Sequence, residues 1–465
     1  MIKKLRLVNF KSWEDTKEIK LSSLSGFFGP NSSGKTSLIQ SLLLLKQTVE
    51  SSDRKLTLDF GKAESSIVEL GSFVDTIFKH EITRSLEFYL DWDLSNALKI
   101  INPENQRETL FEGQEMGFST IIDKTNGDAP IVKQMKYVFA KGSFSFNRLS
   151  IKPKITYSLD SQKDDFQFKM TPGRKWYSFA PIKFYGFPDD VKFHYQNAGF
   201  LSDFQFELEQ LFSRIFYLGP LRDYPKREYT WSGEQPTDMG RRGERAIDAI
   251  LVSDSRNYKI SRGKGNSKWL LSQFVAHWLK ELELIHSFNI KPLVEGSNYY
   301  RVWVRKTPDS SEVLLTDVGF GVSQILPVIT LCYYAPEGST ILIEQPEIHL
   351  HPKVQAGLAD VFIHATKTRN IQIILESHSE HLLRRLQRRT AEFGINDNEN
   401  SVNHENINLY FCETVKGASA IKALQLDTFG NIQNYPDNFF GDEFGEIAAM
   451  NKAKIERQKS QKKLI

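Results

Sequence analysis

Gly29-Pro30-Asn31-Ser32-Ser33-Gly34-Lys35-Thr36 decides the fold. The octet stands between a short apolar run, Leu24 to Phe28, and a largely apolar run from Thr36 to Leu45. Strand, glycine-rich loop and helix is the context in which such an octet cradles phosphate. Gly29 and Gly34 permit backbone angles that a Cβ resists. Successive N–H groups then converge on an anion at a helix N-terminus. The expected ATP contacts are Gly29, Asn31, Ser33, Gly34, Lys35, Thr36 and Ser37. Lys35 supplies a point charge for the β- and γ-phosphates, and the Thr36 hydroxyl a ligand for Mg²⁺.

The second half of the site lies far downstream. After a turn at Glu337-Gly338, Ser339 to Ile343 reads as a buried strand of the parallel type. Glu344 at its C-terminal end is placed to hold Mg²⁺, directly or through water. Thr36 and Glu344 are 308 positions apart. So long a delay points to a head with a large insertion, sharing its nucleotide with a second subunit. The next residue is Gln345, where many ATPases of this layout carry a glutamate as base. A carboxamide orients water but accepts no proton at neutral pH. Three alternatives follow: Glu347 serves as the base, ATP is bound and hydrolysed slowly, or Gln345 is an engineered Glu→Gln exchange.

His349-Leu350-His351-Pro352 reads as a turn beside a subunit interface, with Pro352 opening the next helix. A metal pair is the alternative, without a recognisable third ligand. A further apolar strand, Ile371 to Leu375, leads into Glu376-Ser377-His378-Ser379-Glu380-His381. His378 is placed to sense a γ-phosphate, or else is a satisfied structural histidine. Arg384 to Arg389 fall on the following helix and read as a solvated basic face. Upstream, Gly319, Gly321 and Ser323 precede a helix and make a second anion-binding N-terminus, suited to a neighbour's γ-phosphate in trans. A simple tight turn is the alternative.

The bulk properties agree. The chain of 465 residues has room for two or three ordinary domains or one large one. Its 40% hydrophobic share and mean hydropathy of −0.39 are those of a soluble globular protein. No run of 18 apolar residues exists, and the start, Met1 to Val8, reads as a strand rather than a secretory signal. Cys332 and Cys412 give neither a disulfide framework nor zinc spacing, which fits a reducing cytoplasm. A net charge of +3 makes no case for nucleic acid. Lys452, Lys454, Arg457, Lys459, Lys462 and Lys463 crowd the end of the chain, as a solvated tail or as a DNA- or partner-binding one.

Together these residues resemble the ATP-binding-cassette-type heads of the SMC, RecF and OLD group. Gly29 to Thr36 matches Walker A and Ile341 to Glu344 Walker B. Thr316 to Gln324 looks like a divergent signature, and His378 matches the switch histidine. Leu5 to Ser12 looks like that group's first strand. Glu344 to Pro352, Glu376 to His381, Leu218 to Arg222, Arg242 to Glu244, Leu426 to Gly430 and Tyr435 to Phe440 are similar to a bacterial family of OLD-like AAA ATPases with a C-terminal extension. That family accepts glutamine at the position of Gln345. The resemblance implies ATP and Mg²⁺ as cofactors, a homodimer across the nucleotide or a higher homo-oligomer, and service in phage defence beside a separately encoded nuclease, as in Septu-like systems.

The expected architecture is α/β: an ABC-type P-loop ATPase head with an antiparallel β-rich lobe and a helical insertion. The core is read as 1–85 plus 300–430, the β-rich lobe as 86–200, and a helical segment as 201–299 with a helix from Ser267 to Leu284. The C-terminal extension and basic tail take 431–465. The leading function is a cytoplasmic, slowly hydrolysing ATP switch that regulates a partner nuclease. A DNA-repair ATPase binding DNA directly is the alternative. A transporter subunit is disfavoured by the insertion and the Glu-Gln-Pro-Glu sequence. Intrinsic nuclease activity is disfavoured because Leu293-Val294-Glu295-Gly296 lacks a fitting Asp-x-Asp downstream and Asp91-Trp92-Asp93 lies far upstream.

Overall fold

The computed structural model describes residues 1–61, 66–102, 105–124, 129–151, 154–164, 166–173, 179–263, 265–395, 400–436, 439–440 and 448–455. Asp437, Asn438, Arg457, Lys459, Lys462 and Lys463 lie outside them.

Three sheets organise these residues. The first is antiparallel and lies almost wholly in the N-terminal part of the chain. It contains β1 (Ile2–Phe10), β2 (Trp13–Asp15), β3 (Ile19–Lys20), β5 (Leu86–Asn102), β6 (Asn105–Lys124), β7 (Pro130–Phe139), β8 (Gly142–Ile151) and β9 (Lys154–Gln162), in the order β2-β1-β5-β6-β7-β8-β9 with β3 beside β1. Along β5, Leu86, Phe88, Leu90 and Trp92 are buried and alternate with more exposed residues, the period of a sheet with one covered face. That face carries an aromatic core, in which the Phe144 ring lies 5.2 Å from Phe200 and 5.5 Å from Phe111.

The second sheet bears the site. It contains β4 (Leu24–Phe28), β10 (Ile215–Leu218), β15 (Thr340–Glu344), β16 (Gln372–Glu376), β17 (Ile407–Val415) and β18 (Ala418–Leu424), in the order β10-β15-β16-β4-β17-β18. All pairings are parallel except β17 with β18. β4, β15 and β16 are buried at every residue, which is why apolar residues do not alternate with exposed polar ones along them. Phe27, Leu342 and Ile374 enter one core with helix α1 (Lys35–Glu50). Phe28, Ile343 and Leu375 enter a second core, on the other face. A parallel sheet covered on both faces offers its ligand crevice at the carboxyl ends of its strands.

The remaining strands, β11 (Tyr229–Thr230), β12 (Ser287–Pro292), β13 (Tyr299–Arg305) and β14 (Val313–Leu314), form a small antiparallel sheet. Two single-turn helices, α2 (Phe73–Thr76) and α3 (Val191–His194), and α4 (Leu201–Ser213) belong to the N-terminal side. α5 (Ala246–Ser255), α6 (Leu271–Glu281), α7 (Phe320–Tyr334), α8 (Pro352–Arg369) and α9 (Glu380–Ala391) pack into the second core.

This mixed α/β architecture is the class read from the sequence. Three local readings change. β1 pairs with β5, and β2 and β3 pair with β1, so residues 2–20, read as part of the ATPase core, join the antiparallel sheet. The stretch 201–299 holds α4, α5 and α6 but also β10, β11 and β12. Ile215-Phe216-Tyr217-Leu218 is too short for a helix and finds its backbone partners on β15. The helix read from Ser267 begins at Leu271, because Trp269 exchanges both backbone hydrogen bonds with Ile260 and the Gln273 side chain accepts the Leu270 N–H. From Leu271 on, Phe274, Val275, Trp278 and Leu279 bury a single helical stripe. Among the described residues no helix is long and apolar enough to cross a membrane.

Candidate functional site

The loop between β4 and α1 adopts the conformation its glycines permit. Gly29 has φ +138° and Gly34 φ +92°. A Cβ on Gly29 would collide with the Cys412 carbonyl, and one on Gly34 with the hydroxyls of Ser419 and Ser12. The loop is braced from two sides. Trp13 Nε1 donates to the Gly34 carbonyl at 3.1 Å, and the Ser12 and Ser419 hydroxyls meet at 2.7 Å. Lys35 is 3% exposed, and its ammonium donates to the Gly29 and Pro30 carbonyls at 3.1 and 2.7 Å. Burial lowers its pKa, against the pull of Glu376. Those carbonyls occupy a cation that an anion in the loop would compete for.

A cleft of about 220 Å³ opens over the loop, lined by Asn31 to Ser37 with Ser12, Gln345, Glu376 and His378. The Thr36 hydroxyl donates to Glu376 Oε2 at 2.7 Å. Larger hollows of about 620 and 690 Å³ exist elsewhere, but neither touches the loop.

Glu344 ends β15 beside Glu376 on β16. Its Oε1 accepts from the Tyr217 hydroxyl at 2.9 Å, and its backbone carbonyl accepts from Arg222 Nη2 at 3.1 Å. Burial, reinforced by the charge of Glu376, pushes its carboxyl up to about 7. Burial also raises Glu376, opposed by the Thr36 hydrogen bond. Thr36, Glu344 and Glu376 are hard oxygen donors, a set that suits Mg²⁺ rather than a softer metal.

Gln345 sits in the left-handed region, φ +44°. Its N–H donates to the Glu376 carbonyl at 2.8 Å. Glu347 does not line the cleft. Its Oε1 accepts the His378 backbone N–H at 2.6 Å, and its Oε2 is buried without a hydrogen-bond partner among the described residues. Burial raises its pKa. It therefore pins the loop that carries His378. His378 does face the cleft, and burial followed by the charge of Lys35 lowers its pKa, favouring neutral imidazole.

Gly319 precedes α7 and is exposed. Ser323 Oγ donates to the Phe320 carbonyl at 2.7 Å. None of Gly319, Gly321 and Ser323 lines the cleft over this chain's own loop. A Cβ on Gly319 would meet nothing within 4 Å. The Phe320 ring packs 5.2 Å from His349 and 5.5 Å from Tyr224. His351 caps α8 by accepting from the Lys353 N–H. No group of three His, Cys, Asp or Glu among the described residues could hold a metal ion. The arginines of α9 are paired, Arg385 and Arg389 with Asp360, Arg384 with Glu380 and Arg388 with Glu392.

Sequence reasoning missed Glu376, Tyr217 and Ser12 as members of the site. Glu376 had a signal: Ile371 to Leu375 is an apolar run ending in glutamate, the same pattern as Ile341 to Glu344.

The family described as "AAA domain, putative AbiEii toxin, Type IV TA system" matches residues 109–384, more than half of the chain. The chain belongs to this AAA family. A second profile, "AAA ATPase domain", matches residues 1–179 of this AAA-type ATPase. A third, "Protein of unknown function (DUF3696)", matches residues 402–450. Among solved structures the AAA chain is similar to the SMC head domain from Thermotoga maritima, at 12% identity and a TM-score of 0.40, covering 91% of this chain and 99% of that one. It is also similar to the Smc head domain with an extended coiled coil bound to the C-terminal domain of ScpA, from Pyrococcus furiosus, at 11% identity and a TM-score of 0.42, covering 91% and 96%. No curated protein matches it. AAA ATPases generally use ATP and Mg²⁺.

Proposed function

We propose that this AAA protein is a magnesium-dependent, slowly hydrolysing ATP switch of the cytoplasm. Its copies close around nucleotide as a homodimer and regulate a separately encoded nuclease in antiviral defence. The observation that carries this reading is the make-up of the cleft. It holds a full phosphate loop, with Lys35 and Thr36 ready and an oxygen-donor carboxylate against Thr36. The position of the usual base is a carboxamide, Gln345, and Glu347 is committed to the His378 backbone. Both features favour holding ATP over turning it over. The exposed Gly319, with open space where a side chain would project, supports insertion of the signature turn toward a second copy. The family description, with its toxin and Type IV TA system, supports a role in cellular conflict.

The test is the mass in solution of wild type and Lys35→Ala, with and without ATP and Mg²⁺, by light scattering. ATP is expected to drive wild type, and not Lys35→Ala, into a larger assembly. If ATP changes neither protein's mass, the shared-nucleotide reading fails. Co-purification with the product of the neighbouring gene, followed by nucleic-acid cleavage assays with and without ATP, tests the nuclease partner. Salt-sensitive DNA binding by this chain alone would favour the DNA-repair alternative instead.

A further inference from the structure

β15 and β16 lie side by side and end on glutamates in register, Glu344 and Glu376. Only one of the two faces the cleft. Glu344 commits an oxygen to the Tyr217 hydroxyl and lies behind the lining. Glu376 is part of the lining and accepts the Thr36 hydroxyl hydrogen bond at 2.7 Å. A threonine hydroxyl has one proton to donate and two lone pairs to offer. Donation to Glu376 leaves the lone pairs of Thr36 free for a cation, and it fixes which way they point. A carboxylate within hydrogen-bond reach of a cation's hydroxyl ligand also stands within reach of that cation's shell, directly or through one water.

The identity of residue 345 follows from the same arrangement. Its backbone N–H donates to the Glu376 carbonyl at 2.8 Å, and its side chain lines the cleft beside Glu376. A glutamate at 345 would add a third carboxyl beside two that already lie in register. A carboxamide there instead can donate to the Glu376 carboxylate, which a second carboxylate could not do.

We propose that Glu376 is the cleft-facing carboxylate ligand of the nucleotide's divalent cation, direct or through one water, oriented by the Gln345 carboxamide and orienting the Thr36 hydroxyl. The proposal rests on the reading of the cleft as a Mg²⁺·ATP site. It assigns Glu376 a duty that the apolar-run-plus-glutamate pattern alone would give to Glu344.

Mn²⁺ provides a readout independent of turnover. Its binding is followed by electron paramagnetic resonance in the presence of a saturating non-hydrolysable ATP analogue, for wild type, Glu376→Gln, Glu376→Asp and Gln345→Ala. Binding of the same analogue is measured separately in EDTA, and melting curves establish that each variant is folded. Glu376→Gln is expected to weaken Mn²⁺ binding about tenfold or more without weakening metal-free binding of the analogue. Glu376→Asp and Gln345→Ala should fall between it and wild type. Wild-type Mn²⁺ affinity in folded Glu376→Gln overturns the proposal, although the ATP reading stands. Should Glu376→Gln not fold, unchanged Mn²⁺ affinity in Glu376→Asp overturns it equally. Failure of wild type to bind the analogue under either condition defeats the ATP reading, and this inference with it.

Discussion

The phosphate loop and the signature turn are both glycine-bearing entries to helices, yet the molecule treats them in opposite ways. The first is braced before any ligand arrives: Trp13 holds the Gly34 carbonyl, Ser12 and Ser419 close on Gly34, and Glu376 accepts the Thr36 hydroxyl hydrogen bond. The second stands in the open, with nothing against Gly319. A glycine in the left-handed region with neighbours on top of it is demanded by this chain's own packing. A glycine with ordinary angles and empty space is not, so any demand for it comes from outside the chain. One half of the proposed nucleotide machinery is preformed; the other, on the proposed reading, is laid out for a second copy.

That contrast can be broken in four places. The largest effect should come from Glu344. Its carboxyl is held protonated up to about 7 in the fold, whereas the unfolded chain ionises it near the ordinary value. The unfolded state therefore binds fewer protons between those values, and stability falls as pH rises through that window. At 1.36 kcal/mol per unit, the loss is on the order of 3 kcal/mol by neutral pH. Denaturant titrations of the metal-free protein from pH 4.5 to 8 should show this slope, and Glu344→Gln should flatten it. An equal slope in both proteins refutes the assignment. Mg²⁺·ATP should stabilise wild type more at pH 8 than at pH 5.

Next is Gly34→Ala, which forces a Cβ into φ +92° against Ser419 and Ser12. A stability loss of about 2 kcal/mol is expected, with loss of nucleotide binding. Wild-type binding of a fluorescent ATP analogue by this variant would show that the bracing is dispensable. Third, Glu347→Ala leaves the His378 N–H without its acceptor and should cost about 1–2 kcal/mol, measured by chemical denaturation. Glu347→Gln keeps an acceptor oxygen and should keep wild-type phosphate release. Abolished release in that variant would instead make Glu347 the base. Smallest is Gly319→Ala, expected to change stability by less than about 0.5 kcal/mol. It should also leave ATP binding alone while weakening ATP-driven assembly. A large stability loss would mean that this chain itself needs the glycine.

The phosphate loop was legible because the pattern that announces it is local: a short strand, an octet and a largely apolar helix within about twenty residues. Glu344 was legible for the same reason, as a carboxylate closing a buried run. Glu376 closes an equally buried run, but its partner Thr36 is 340 positions away, and no local pattern records that meeting. β10 was hidden because four apolar residues become a strand only when β15 is there to pair with them. Glu347 stood close to the site in sequence and was weighed as a base. What it does depends on the direction of one side chain, toward the His378 backbone, and sequence does not carry that direction.

The bracing of the loop also bears on the order in which the protein can be made. Gly29 backs onto the Cys412 carbonyl, and the Ser12–Ser419 hydrogen bond joins positions 407 apart. The octet leaves the ribosome early, but the strands that press it into shape, β17 and β18, are synthesised only after residue 406. A nascent chain therefore carries the octet without its Cys412 and Ser419 contacts until β17 and β18 have been made.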